Sequence, residues 1–437
     1  MSGNRKLMAL MYALGYLGIS IFTQTTVKWY QYYYAPPEAN DGGLQILIPL
    51  ALVGLTMIIA RLFDGIADPL VAYFSDNCTS KKGRRIPFIL YGSVPLAITF
   101  IALWFPPVSY QSIWNFVYLT VVLSLFFICF TIVVGPYLAL IPEISKTKKE
   151  RNTLTMLQGI TQVIGVMIAE AGSGVLISMY DFKVMGIVLG LIALGTILLT
   201  PIFVKEEPLK EKPKDISASG MVSSVLKTLN NRDFLFYLCS YLTVWFGINT
   251  LTIAMPYISE VLLGMNAESS GFLIAGAFVV AVIFSPFLPK FTNKFGKRTV
   301  MMVSSALFGM ILISTGFFGT VFHTFSATII IALAGVPLSA AFIIPNAMVA
   351  DIAEYDGVIN KQKREGMFFG AQGLIIKIVV GASSFVTPFI FNRFGYSVSE
   401  PLGLQLIGPI AGVMVLVGIV FLNCYSLTEE RLEEIRS

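Results

Sequence analysis

ARLFDGIADPLVAYFSD, residues 60–76, sets Arg61, Asp64 and Asp68 inside a long apolar run that starts near residue 45, with Asp76 at its end. An ionisable side chain at the centre of a membrane helix costs about 2.5–3.5 kcal/mol on insertion scales, so each needs a partner or a function. Asp64 and Asp68 are four residues apart and share a helical face; Arg61, seven before Asp68, lies on it too. Gly65 and Pro69 loosen the backbone between them. Two carboxylates this close resist double ionisation, so a proton is retained or a cation bridges them. The structural alternative is an Arg61–Asp64 ion pair that fixes this helix to a neighbour.

The rest of the chain shares the apolar character. Of 437 residues, 56% are hydrophobic and 13% charged, against roughly 25% charged in a soluble domain. This excludes disorder, a disulfide scaffold and a soluble enzyme. The four cysteines are scattered without metal or disulfide spacing, and His323 is the sole histidine, which leaves little room for histidine or metal chemistry. No removable signal peptide is read at the start. Apolar stretches predict an all-α membrane protein with twelve transmembrane helices, near 7–34, 45–73, 87–106, 112–141, 153–177, 184–204, 233–262, 268–290, 299–319, 326–350, 367–393 and 403–426. The runs are too long, and too unalternating, for a β-barrel.

With both termini cytoplasmic, 25 of the 30 basic residues fall in inside segments, as the positive-inside rule requires. The net charge of +5 is thus a topology signal and not a nucleic-acid surface. A Lys-, Glu- and Pro-rich gap divides the spans. It predicts an N-terminal six-helix bundle at 1–204, a cytoplasmic linker at 205–232 and a C-terminal bundle with a short tail at 233–437. Gly83 and Gly296 stand 213 residues apart, each opening a basic loop, and Arg151 and Arg364 repeat the offset. Two similar halves are the signature of a rocking transporter with its site between them. Asp64 and Asp68 meet Ala277 and Ala281 at that offset, so the acidic pair belongs to one half only.

Other polar side chains fall within the spans. Lys377 is deep in the eleventh and is a candidate partner for the acidic pair; Glu170 is either a gate contact or a solvated helix end; Lys28, among tyrosines, reads as an interfacial anchor. Ser20 and Gln24, Gln158 and Gln162, Trp245 and Asn249, and Gln372 make polar stripes on helices 1, 5, 7 and 11. Singly they are helix–helix glue; together they suit a cavity that binds sugar hydroxyls through amides and a sugar face on an aromatic ring. Asp76, Arg84, Arg85, Arg151, Asp351 and Arg364 lie at cytoplasmic helix ends, where breakable charge contacts gate conformational exchange.

These residues also carry a family resemblance. Asp64-Gly-Ile-Ala-Asp68-Pro69 with Asp76 and Gly83-Arg84-Arg85-Ile86-Pro87-Phe88 resembles the signature of the glycoside–pentoside–hexuronide:cation symporters, the melibiose permease group of the major facilitator superfamily. A second match is Asp351-Ile-Ala-Glu354-Tyr355 with Arg364-Glu365-Gly366, Gln372 and Lys377; a third is Pro136, Pro142 and Arg151. The resemblance spans the whole chain and implies a major facilitator fold of two six-helix bundles. It implies that Asp64, Asp68 and Thr131 bind the coupling cation, that Lys377 lies near that site, and that Gln372 lies close to the sugar. Departures accompany it. Ala67 stands where melibiose-type carriers have an amide, which favours a proton over sodium. Ser20 and Val134 replace the acidic sugar ligands, Leu138 the tryptophan of helix 4, and Gly159 the arginine of helix 5.

The expected function is therefore secondary active symport of a sugar or glycoside, coupled to H+ or Na+, with Arg61 and Lys377 in the coupling step. The expected setting is the plasma (inner) membrane, as a multi-pass monomer that uses no cofactor and binds no nucleic acid. The loss of both sugar acids favours an alternative, a lysolipid or other amphipathic substrate. A non-transporting sensor is a third reading. An enzyme is the weakest, for want of a nucleophile–base pair or metal cluster.

Overall fold

In a bilayer every backbone N–H and C=O must be satisfied within the protein, which leaves helices or closed barrels. The computed structural model describes residues 3–38, 43–145, 147–206, 228–360 and 365–427, and takes the helical solution. Among these residues the only extended pairing is an isolated bridge between Phe318 and Phe322. Eleven helices are long and apolar enough to cross a membrane, and Ile86–Ala102 is a shorter apolar helix.

In chain order the helices are α1 (Gly3–Tyr34), α2 (Leu50–Asp76), α3 (Ile86–Ala102) and α4 (Ile113–Ala139). Next comes α5 (Lys148–Met167), which runs through a wide π turn at Ile168–Gly172 into Ser173–Met179, and then α6 (Phe182–Phe203). The second series is α7 (Arg232–Tyr257), α8 (Ser270–Phe284, ending in Leu288–Phe295) and α9 (Lys297–Thr315). It closes with α10 (Gly335–Asn360, preceded by Thr324–Leu333), α11 (Glu365–Phe394) and α12 (Leu402–Cys424). Local sequence sets several starts. Ser112, Thr147, Asp181 and Asn231 each accept a backbone N–H at the first turn of α4, α5, α6 and α7, satisfying a donor that the helix itself leaves unpaired.

The chain divides into two compact units, Met1–Ala218 with Glu268–Phe272, and Ser219–Ala267 with Leu273–Ser437. In the first, α1 packs on α5 and α6, α3 on α4 and α6, and α2 on α4. In the second, α7 packs on α11 and α12, and α9 on α10 and α12. Four pairings thus recur six helices later. Gly83 and Gly296 also both have a positive φ, +100° and +78°. Close approach in the first unit depends on small residues: a Cβ on Gly18 of α1 would lie 2.4 Å from the carbonyl oxygen of Ala193 on α6. Most of the expected linker, including residues 207–227, lies outside the described residues.

Candidate functional site

The acidic face of α2 meets α4 inside the first unit. Asp64 is wholly buried and Asp68 half-buried. Thr131 of α4 reaches both: its Oγ1 is 2.5 Å from Asp64 Oδ1 and 3.2 Å from Asp68 Oδ1. A hydroxyl has one hydrogen to donate and two acceptor lone pairs, so its proton serves one carboxylate while an oxygen lone pair stays available to a cation. Arg61 Nη1 donates to Asp64 Oδ2 at 3.1 Å. The guanidinium also stacks on Phe127 of α4, 3.9 Å from the ring centre. The Arg61–Asp64 pair therefore forms, and it forms within α2 instead of tying α2 to a neighbour; Phe127 and Thr131 supply the link to α4. The cluster Arg61, Asp64 and Asp68 carries one excess negative charge when ionised. Carboxylate and hydroxyl oxygens converging in this way are the ligand set that a hard cation takes.

The polar stripes fall into two sets. In the first unit, Ser20 Oγ donates to the Tyr16 carbonyl one turn earlier at 2.9 Å, and buried Gln158 hydrogen bonds Tyr16. Gln24 and Gln162 are half-buried. In the second unit, Gln372 Oε1 accepts from Tyr237 at 3.2 Å, and Asn249 Nδ2 donates to Ser383 Oγ at 2.5 Å. Asn249 and Gln372 thus bind α7 to α11 in this conformation. Trp245 belongs to an aromatic ladder with Tyr237, Tyr241 and Phe342. Lys377 lies on α11 of the second unit.

The charged residues at the helix ends find partners that the sequence does not announce. Asp76 Oδ1 is 3.2 Å from Arg85 Nη2 and 3.9 Å from Arg84 Nη1. Both arginines converge on Glu143 Oε1, Arg84 Nη2 at 2.5 Å and Arg85 Nε at 2.6 Å. Glu206, just beyond α6, accepts from the backbone N–H of Arg85 at 2.8 Å and Ile86 at 3.1 Å, capping α3. Gly83 makes room for it, since a Cβ there would lie 2.3 Å from Glu206 Oε2. Burial, then a shared hydrogen bond with Glu143, pushes the Glu206 carboxyl up to about 7. Asp351 pairs with Lys297 at 2.7 Å. Arg151 is exposed, and Arg364 lies outside the described residues.

Lys28 requires a correction. It is not the exposed anchor expected: the side chain is wholly buried, with Nζ 3.1 Å from Glu170 Oε2 and 3.0 Å from the Glu170 carbonyl. Glu170, also buried, sits in the π turn of α5, and so is no solvated end. Trp29 Nε1 donates to Ser173 Oγ at 2.7 Å beside them. A charged side chain one turn below a tyrosine belt reads equally well as an anchor or a buried pair; only the partner 142 residues away distinguishes the two.

Comparison with known proteins agrees with this architecture. An uncharacterized symporter of Synechocystis sp., sll1374, is 24% identical over 98% of this chain and 95% of its own. The sodium-dependent lysophosphatidylcholine symporter 1 of Gallus gallus is 22% identical over 87% of this chain and 80% of its own. The glucuronide carrier protein homolog of Escherichia coli is 22% identical over 88% and 86%. Among solved structures, the nucleoside transporter NupG superposes with a TM-score of 0.66 at 13% identity, covering 96% of this chain and 99% of that one. The chain is a multi-pass membrane transporter and not an enzyme. The model of the MFS/sugar transport protein family matches residues 11–429, so the chain belongs to that family of major facilitator symporters.

Proposed function

We propose that this transporter couples the movement of a cation, held at Asp64, Asp68 and Thr131, to that of a sugar or glycoside by alternating access. The observation that carries the reading is the bridging hydroxyl of Thr131, within 3.2 Å of both carboxylates. An ion can drive transport only if it binds two conformations unequally. A cation here competes with Arg61 for Asp64, so ion binding changes which contacts the helix makes. Reciprocity requires substrate to raise ion affinity by the factor by which ion raises substrate affinity. Lys377 is proposed to act in the coupling step, and Asp76, Arg84, Arg85, Arg151, Asp351 and Arg364 in conformational exchange. The proton is favoured as coupling ion, since Ala67 offers no amide oxygen to sodium. Both termini are proposed to be cytoplasmic.

A lysolipid or other amphipathic substrate is the second reading. It is supported by the engagement of Ser20 with its own helix and by the apolar Val134, which leave the first unit without an acidic sugar ligand at those positions. The test is accumulation in vesicles under an imposed pH gradient, then an imposed sodium gradient, with labelled sugars and a lysolipid as substrates. Wild type is expected to accumulate a sugar under at least one gradient. Asp68→Asn is expected to lose accumulation while keeping exchange down the substrate gradient. Undiminished accumulation by Asp68→Asn would defeat the cation site; lysolipid uptake without sugar uptake would select the second reading.

A further inference from the structure

The second unit holds a crevice of about 460 Å³, lined by the end of α8, the first half of α9 and Val336 of α10. None of the transport residues lines it. Eight of its ten lining residues are apolar, Phe291, Phe295, Val303 and Leu307 among them; Thr299 and Ser304 are the exceptions. The volume is within the roughly 300–1,000 Å³ of ligand-holding clefts. Its α9 wall, from Thr299 to Leu307, runs about 12 Å at the rise of a helix. Val303 is 64% exposed and Phe295 52%, so the crevice is open to the protein surface and is not a sealed core cavity.

The chain that turns from α8 into α9 beside this crevice is basic, although its lysines do not line the crevice itself. Residues 284–307 contain Lys290, Lys294, Lys297 and Arg298 and no acidic residue. Two of these cations are engaged: Lys297 holds Asp351 at 2.7 Å, and Arg298 donates to the Asn423 carbonyl at 2.7 Å. Lys290 and Lys294 are exposed one turn apart on Leu288–Phe295, the helix that also supplies Phe291 and Phe295. Their ammonium groups lie beside Phe287 and Phe295, and neither joins an ion pair among the described residues.

We infer that this crevice binds one anionic phospholipid of the surrounding membrane, with an acyl chain along α9 and the phosphate at Lys290 and Lys294. The order of the site, apolar along its length and cationic at one end, is the order of such a lipid. Lipid tails are as apolar as the crevice wall, so chain insertion alone gives little preference; the headgroup charge supplies it. A free phosphate would gain nothing from the phenylalanines, and a zwitterionic lipid, whose own headgroup cation offsets its phosphate, would gain less from the lysines than an anionic one. Two basic residues at an anionic headgroup are together worth on the order of 30-fold in binding. The inference is independent of the transported substrate and of the coupling ion.

The test uses the full chain in nanodiscs of equal phosphatidylcholine and phosphatidylglycerol, released and weighed by native mass spectrometry. One phosphatidylglycerol is expected to stay bound. Lys290→Ala with Lys294→Ala is expected to weaken its retention on the order of 30-fold. Val303→Trp, which fills the crevice, is expected to displace it. Lys81→Ala with Lys82→Ala, an exposed lysine pair elsewhere, is expected to leave it in place. Should Val303→Trp fail to fold, the surface lysine variant decides alone. Equal retention of phosphatidylcholine, release by inorganic phosphate, an equal loss in the Lys81 and Lys82 control, or full retention in the Lys290 and Lys294 variant would each overturn the inference.

Discussion

Thr131 shows how one side chain sets a site's chemistry. Its hydroxyl lies between two carboxylates that would otherwise face each other across one helical turn of α2. A hydrogen bond to a charged group is worth about 1.5–3 kcal/mol. Thr131→Val is therefore expected to raise the ion concentration for half-maximal accumulation by roughly tenfold or more, and Thr131→Ser to restore most of it. Transport titrated against pH or sodium checks both. Glu206 gives a second prediction, outside the membrane spans. Its folded pKa of about 7 lies above the ordinary 4.5, so the folded state holds the proton more tightly than the unfolded one. The stability this contributes is full below pH 4.5 and lost as pH rises through about 7. Glu206→Gln keeps an acceptor for the Arg85 and Ile86 N–H groups and has no charge to bury. Its thermal midpoint in detergent is expected to exceed that of wild type above about pH 7 and to match it in acid. A wild-type midpoint that rises over this range would contradict the assignment.

At the scale of elements, the joint between α1 and α5 is the informative one. The π turn at Ile168–Gly172 places the carboxylate of Glu170 against Lys28, both out of water. Removing one member of such a pair leaves a buried charge and costs about 3–5 kcal/mol, whereas replacing both with apolar groups is often neutral. Lys28→Met and Glu170→Leu are each expected to lower the thermal midpoint or the yield of folded protein sharply. The double variant is expected to recover most of the loss. Additive losses in the double variant would mean that the two groups are stabilised separately. On its other side α1 meets α6 through Gly18, where the Ala193 carbonyl leaves no space for a larger residue. The first helix is thus held by a charge pair on α5 and by close backbone packing on α6.

For the whole molecule, the basic residues make a prediction of their own. A reporter fused after Ser437, and another inserted near Ser217, should both be active on the cytoplasmic side, because the opposite orientation would translocate most of the chain's short basic loops. A periplasmic signal from either site would defeat the orientation. The recurrence of α1–α6, α3–α4, α3–α6 and α1–α5 as α7–α12, α9–α10, α9–α12 and α7–α11 gives physical content to the repeated offset in the sequence. Gly83 and Gly296 occupy the left-handed region in both halves, where a residue without Cβ is the unstrained choice.

The sequence by itself determined the helical spans, since a bilayer admits few other ways to satisfy a backbone and runs of about 20 apolar residues are legible on sight. It also determined that Arg61, Asp64 and Asp68 share one face, because helical spacing is local. Contacts between helices were a different matter. Thr131 was reached through resemblance alone, and no spacing pairs Arg84 with Glu143, Arg85 with Glu206, Lys297 with Asp351 or Lys28 with Glu170. These partners are 54 to 142 residues apart. Which helix lies beside which, and at what rotation, is set by the packing of whole faces. Only the tertiary structure therefore decided that Lys28 is buried in an ion pair, that Asn249 and Gln372 hold α7 to α11, and that Glu206, beyond α6, caps α3.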